Sequence, residues 1–229
     1  MTHSRTQLSN IRLNHGYAEA VTTAIQGSLF DVGQEFGLGG LGLSVRRTAL
    51  ADGAWLDVAP GWLRGADALF ERLLRNVPWR AERRRMYDQV VDVPRLLCHF
   101  GQGQALPDSA LEEARSALDG YYERDLGESL STAGLCLYRD GRDSVAWHGD
   151  NSGRQVSETV VAIVSLGNPR HLLLRRRRGS DRALRFLLGN GDLLVMGGTC
   201  QRTWEHAVPK TAMAVGPRIS VQFRPAGIR

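Results

Sequence analysis

Residues 134–151 read GLCLYRDGRDSVAWHGDN. GLCLYR reads as a strand, Asp140-Gly141 as a turn, and SVAWH as a second strand running into Gly149-Asp150. Side chains on an extended chain alternate faces, so His148 and Asp150 point the same way with only Gly149 between them. One imidazole and one carboxylate make two prongs of a metal site. A second imidazole from a distant strand would complete one face of an octahedron and leave the other open, the arrangement of non-haem Fe(II) oxygenases. His206, in QRTWEHAVPK, is the best third ligand, and His99 is its rival. His3 and His15 fall in the irregular tail, and His171 opens a basic strand. The His-Gly-Asp tripeptide alone decides nothing, because such spacings arise often by chance and a lone histidine is usually structural.

Further along, residues 218–224 read RISVQFR. Ile219, Val221 and Phe223 alternate with Arg218, Ser220, Gln222 and Arg224, the strict period of a strand with one apolar face in a core. A surface strand would carry the same pattern. After a WxHxVP segment the polar face has a second use, since a guanidinium fork grips a carboxylate through two parallel hydrogen bonds. A dicarboxylate co-substrate would need that grip.

From residue 133 onward short strands alternate with turns: AGLCLYR, SVAWH, ETVVAIVSL, HLLLR, LRFLL, DLLVM, TWEH, TAMAV and RISVQFR. This spacing predicts a double-stranded β-helix, or jelly roll, within an α+β, mostly β chain. Upstream, apolar residues at 66, 69, 70, 73, 74 and 77 predict an amphipathic helix stopped before Pro78. A second helix is expected from Ser109 to about Arg124, opened by a Ser109 to Glu112 capping box. Residues 1–45 read as an irregular tail, and 46–229 as one domain: 46–130 with the helices and a basic segment, 131–229 the jelly-roll core.

With 229 residues, 42% hydrophobic and 23% charged, the chain fits one well-buried domain and excludes fibrous or disordered classes. No apolar run is long enough for a membrane helix and no leader is recognisable, which predicts a cytoplasmic protein. Three cysteines without CxxC spacing suggest reduced structural thiols. A net charge of +5 favours a polyanionic partner. The arginines cluster at Arg80 with Arg83 to Arg85 and at Arg175 to Arg178, either phosphate grips or solvated faces. In the first cluster Tyr87, Arg95, His99 and Phe100 are interleaved. That pattern predicts a loop that stacks on bases while arginines hold phosphates.

The ordered set Tyr138, Asp140-Gly141, His148-Gly-Asp150, His206-x-Val-Pro, Arg218 and Arg224 resembles the AlkB family of Fe(II)/2-oxoglutarate dioxygenases, over roughly residues 60–229. The likeness is greatest to its nucleic-acid repair members. The resemblance implies that His148, Asp150 and His206 bind Fe(II) and that Tyr138 and Arg218 hold the distal carboxylate of 2-oxoglutarate. It places Arg224 near the metal-bound end of the co-substrate and Asp150. The family commonly has asparagine two residues before the tyrosine and two after the first arginine. Here Cys136 and Ser220 stand there and offer weaker polar contacts. The resemblance makes the segment around 78–101 a nucleotide-recognition lid, with Tyr87 a wedge, Phe100 a base-stacking residue and Arg95 a substrate contact. Asn151 or Ser152 would reach an exocyclic amine of the base, and Trp204 would either wall the pocket or pack beneath the iron. The implied activity is oxidative demethylation of N1-methyladenine and N3-methylcytosine in DNA. RNA, a protein or a small molecule are alternative substrates, and a non-catalytic jelly-roll binding module is the alternative class. Separately, Gln26 to Phe30, QGSLF, is similar to the short peptide by which bacterial partners dock on the DNA sliding clamp. Gln26, Leu29 and Phe30 would be its contacts, or an apolar pair packing the tail onto its own domain.

Overall fold

The computed structural model describes residues 35–86, 89–150, 157–179 and 182–228. Its elements in chain order are β1 (Gly37–Leu38), α1 (Leu41–Ser44), β2 (Arg46–Ala49), β3 (Ala54–Ala59), β4 (Leu63–Arg64) and α2 (Ala66–Asn76). Next come β5 (Arg80–Met86), β6 (Gln89–Phe100), α3 (Ser109–Leu126), β7 (Thr132–Tyr138), β8 (Val145–His148) and β9 (Val161–Gly167). The chain continues through β10 (Arg170–Arg176), β11 (Leu184–Leu188), β12 (Leu193–Gly198), α4 (Cys200–Thr203), β13 (Trp204–Val208) and β14 (Arg218–Arg224).

Two antiparallel sheets form the jelly roll: an eight-stranded one in the order β2-β3-β12-β9-β14-β7-β6-β5, and a four-stranded one in the order β11-β10-β13-β8. The strict alternation of β14 sorts its side chains between two cores. Ile219, Val221 and Phe223 join one core with Leu69 and Leu73 of α2 and Leu111, Leu118 and Tyr122 of α3. The second core is filled by Tyr138, Ile163, Leu174, Leu194, Met196 and Trp204. These residues come from both sheets, so this core lies between them, and the polar face of β14 is turned towards it. The helices cover the large sheet on the opposite side, each fully buried leucine contributing on the order of 2 kcal/mol.

Helix α3 begins at Ser109 as expected, but its cap is Asp108, one residue before the expected one. Asp108 accepts from the backbone N–H of Ala110 at 3.0 Å and is itself held by Arg72 at 2.6 Å. Glu112 reaches back to the N–H of Leu106 at 3.0 Å, so it closes the entry to the helix without pairing with Ser109.

Several expectations are corrected. TAMAV is not a strand: no strand among the described residues pairs with it, and Thr211 bonds through its N–H to the carbonyl of Gly141 in a loop. The basic segment expected as a loop is the β5–β6 hairpin, continuing the large sheet beyond β7. Pro94 lies where the β5–β6 register shifts between Ala81 and Arg83, so its missing N–H breaks no regular ladder bond. AWLDVA, not anticipated as a strand, is β3, paired along its whole length with β12. The tail boundary at 45 is also displaced. Gly37–Leu38 pairs with β4, Trp62 donates its indole N–H to the carbonyl of Gly39 at 2.9 Å, and Leu41 is buried. Gln26, Leu29, Phe30, Tyr87, Asn151 and Ser152 lie outside the described residues.

Candidate active site

Strands β8 and β13 pair so that His148 sits directly opposite His206. Their ring centroids are 4.2 Å apart and tilted by 48°. Asp150 follows β8 by two residues, and one ligand atom from each of His148, Asp150 and His206 lies within 4.8 Å of the others. It is the only such cluster of three among the described residues. His99, the rival, is on β6 opposite Gly134 and belongs to no such group.

Local bonds prepare each member. His148 Nδ1 is 2.8 Å from the carbonyl of Ala146, an acceptor, which assigns the proton to Nδ1 and leaves the Nε2 lone pair facing Asp150 Oδ1 at 3.7 Å. Asp150 Oδ2 accepts from Arg224 Nε at 2.6 Å, so one carboxylate oxygen is held while Oδ1 faces His148 Nε2. The Asp150 backbone N–H donates to Gln201 Oε1 at 2.9 Å. Gly149 is required by close approach, since a Cβ there would collide with the Arg177 guanidinium and the backbone carbonyl of Gln201.

Burial alone would raise the Asp150 carboxyl, but Arg224, His206 and His148 outweigh it and bring it down to about 2. Burial pushes His206 down to about 3, with only Asp150 opposing. Both groups therefore stand at neutral pH in the form that donates to a metal, a carboxylate and a neutral imidazole. Two nitrogens and one oxygen on one face suit Fe(II).

On the polar face of β14, Arg218 is 1% exposed, and its Nε donates to Ser165 Oγ at 2.9 Å. Its Nη1 is buried with no hydrogen-bond partner among the described residues. Its Cζ stands 5.4 Å from the centre of the Tyr138 ring, in range of a cation–π contact. Burial pushes the Tyr138 phenol up to about 12, with Cys136 adding and Arg218, Arg95 and Arg170 opposing. Arg170, also beside that ring, is committed to the carbonyls of Asp140, Asp143 and Pro209. A buried fork with one arm unsatisfied is the feature that an incoming carboxylate would complete. The donor set thus fits both Fe(II) and a dicarboxylate.

The other expected residues divide. Cys136 and Ser220 are cross-strand partners, and Gln222 bonds to both. Arg95, expected on substrate, donates from Nη1 to the carbonyl of Ser144 at 3.2 Å, and its Nε is buried without a partner among the described residues. Phe100, expected to stack on a base, is partly buried against the helix-side core and also lines a hollow at the base of the hairpin. The alternation of β6 carries it there and turns Leu97 towards the core between the sheets. Trp204 takes the packing alternative, buried in that core with its indole N–H on the carbonyl of Ala51 at 3.2 Å. The aromatic lining the metal cleft is Trp147, stacked under Arg175 at 4.2 Å. The cleft holds about 400 Å³ between Trp147, His148, Asp150, Arg177, Gln201 and Glu205. A larger hollow of about 610 Å³ beside the base of the hairpin includes Arg80, Cys98 and His99 but none of the three clustered ligands. Arg83 and Arg175 to Arg177 are not free phosphate grips, being paired with Asp92, Glu205 and Asp52. Ser165, Gln201 and Gln222 were not legible as site residues, although Gln222 shares a strand face with both arginines.

A jelly roll with two histidines and one carboxylate at the rim of its inner space defines a non-haem iron oxygenase architecture. A family model described as the 2OG-Fe(II) oxygenase superfamily matches residues 56–224. The chain belongs to that superfamily, and its cofactors are Fe(II) and the co-substrate 2-oxoglutarate. It is 29% identical over 184 residues to the Bos taurus alpha-ketoglutarate-dependent dioxygenase alkB homolog 3, covering 73% of this chain and 64% of that protein. It is 28% identical over 189 residues to the Arabidopsis thaliana DNA oxidative demethylase ALKBH2, covering 68% and 60%. The matches thus take in less than two thirds of the length of either relative. Among solved structures, a prolyl hydroxylase from Trichoplax adhaerens aligns with a TM-score of 0.56 at 13% identity, covering 75% of this chain and 83% of that one. OsALKBH1 aligns with 0.54 at 15% identity, covering 77% and 100%. Both share the fold. No helix among the described residues is long and apolar enough to cross a membrane.

Proposed function

We propose that the chain oxidatively demethylates alkylated bases in DNA, of the N1-methyladenine and N3-methylcytosine type. The observation that carries this reading is the His148, Asp150, His206 cluster sharing its inner space with the buried, half-satisfied fork of Arg218. The names of the AlkB relatives support the substrate class, as does the basic β5–β6 hairpin. A binding module without catalysis would not call for both features together. The three free thiols suit a reducing, cytoplasmic setting.

Bound Fe(II), with 2-oxoglutarate and dioxygen, supplies the oxidation, in which the co-substrate becomes succinate and carbon dioxide and one oxygen atom enters a methyl C–H bond of the base. His148, Asp150 and His206 would hold the metal, and Arg224 would keep the second oxygen of Asp150 from turning towards it. Arg218 and Tyr138 would fix the far carboxylate of the co-substrate, so that its other end has one orientation. No side chain needs to remove a proton in the oxidation. The hydroxymethyl group leaves the base nitrogen as formaldehyde with loss of a proton, which neutralises the cationic base. The target base must be extruded or already unpaired to reach the cleft.

The test is succinate and formaldehyde release with Fe(II) and 2-oxoglutarate, with and without an oligonucleotide bearing N3-methylcytosine, and with His148→Ala as control. Stimulated, His148-dependent release is expected. Turnover that the oligonucleotide does not stimulate would redirect the substrate to RNA, protein or a small molecule. No turnover in metal-replete protein would overturn the proposal.

A further inference from the structure

The carboxamide of Gln222 lies at the centre of the polar face of β14. Its Nε2 donates to Ser220 Oγ at 3.0 Å and approaches Cys136 Sγ at 3.5 Å, while its Oε1 accepts from Arg224 Nη2 at 2.9 Å. A guanidinium only donates, so the carbonyl end of the amide must face Arg224 and its orientation is fixed. The same Arg224 places Nε on Asp150 Oδ2. Gln222 and Asp150 therefore grip one planar fork from two sides and set its plane. The opposite strand leaves room for this: Gly134 is the register partner of Gln222, and a Cβ there would stand 2.8 Å from Arg224 Nη1.

Cys136 and Ser220, the groups beside Gln222 on this face, carry no amide, so the carboxamide at this spot comes from Gln222. We infer that Gln222 is a positioning residue for co-substrate binding. It holds the Arg224 fork in the plane that leaves one Asp150 oxygen free for metal, and it supplies the carboxamide that Cys136 and Ser220 lack. The inference rests on the dioxygenase reading above.

The test measures binding without turnover: 2-oxoglutarate affinity of the Mn(II)-loaded protein without nucleic acid, Mn(II) affinity alone, and the melting temperature of the metal-free protein. Gln222→Met keeps length and volume while removing the hydrogen bonds to Ser220, Cys136 and Arg224. It should weaken 2-oxoglutarate by about tenfold or more, with melting shifted by no more than about 3 °C. The double variant Ser220→Asn with Gln222→Ser returns an amide to the neighbouring position and should recover most of the lost affinity. A structural role would give no such rescue. Equal 2-oxoglutarate affinity in wild type and Gln222→Met, or a loss that the double variant leaves untouched, would overturn the inference and leave the dioxygenase reading intact. If wild-type Mn(II)-loaded protein binds no 2-oxoglutarate, the dioxygenase reading fails and the inference goes with it.

Discussion

Replacing Arg218 by methionine should separate holding the fold from holding the co-substrate. In the ligand-free protein this guanidinium is buried, and burial and the neighbouring Arg170 both act against its charge. An apolar side chain of similar length removes that cost; replacing whole buried ion pairs by apolar groups is neutral or stabilising by about 1–4 kcal/mol, and removal of a lone buried cation acts in the same sense. Against this stand the bond from the charged guanidinium to Ser165, about 1.5–3 kcal/mol, and the contact with the Tyr138 ring, about 1 kcal/mol. The terms nearly cancel, so metal-free protein should melt within about 3 °C of wild type. The ligand-bound state is different. A carboxylate loses two charge-assisted bonds worth about 1.5–3 kcal/mol each, so 2-oxoglutarate affinity should fall at least about a hundredfold. At a concentration of 100 times the wild-type Kd, 2-oxoglutarate adds about 2.7 kcal/mol to wild-type stability, or about 5–10 °C in a chain of this size. Thermal melting of Mn(II)-loaded protein over a 2-oxoglutarate titration reads both quantities. A variant that keeps the ligand-induced shift, or that loses more than about 10 °C before any ligand is added, would refute the assignment and make Arg218 a fold residue.

The metal-free protein should weaken in acid. His206 is held at about 3 when folded against 6.5 in a free chain, so its contribution is complete above pH 6.5 and is lost as the pH falls towards 3. The slope is up to about 1.4 kcal/mol per pH unit, and Asp150, lowered to about 2 from 3.8, adds a further loss only at lower pH. Urea denaturation at two pH values, with His206→Asn flattening the difference, checks this. Tyr122→Phe removes a 2.9 Å bond to the buried Asp57 and should cost about 1.5–3 kcal/mol in urea unfolding while leaving Mn(II) affinity unchanged. Neutralising Arg83, Arg84 and Arg85 together should lower the salt slope of DNA binding by about 1.5–2.5, short of a full three because Arg83 is paired with Asp92. An unchanged slope would return the cluster to a solvated face. Leu29→Ala with Phe30→Ala should abolish capture by a bacterial sliding clamp and spare turnover of a free oligonucleotide; unchanged capture would remove the docking role.

The sequence showed the site wherever the chemistry lay on a regular period. Arg218 and Arg224 stand out because their strand alternates without a break, and His148 and Asp150 because a glycine separates them. Gln222 shares that face but reads like any polar residue turned to solvent, and only the second sheet opposite β14 gives it an interior. Short apolar segments misled in both directions. TAMAV has the pattern of a strand and no partner, while AWLDVA carries a buried aspartate in mid-strand, satisfied by Arg47 and Tyr122 from distant positions. Phe100 and Trp204 were placed by residue type, and a change of strand face decides where each of them packs. Pro94 and the surrounding charges made the hairpin look irregular, because its partner strand and the register shift at the proline are not written locally.

The large sheet begins at β2 and ends at β5, and both outer strands are arginine-rich, RRTA and RAERRRM. An open edge offers unpaired N–H and carbonyl groups to any other extended chain, and rows of cations along it deter that pairing. A second copy approaching through the same edge would bring guanidinium against guanidinium. Among the described residues the sheet stops at eight strands, with an arginine-rich strand at each end.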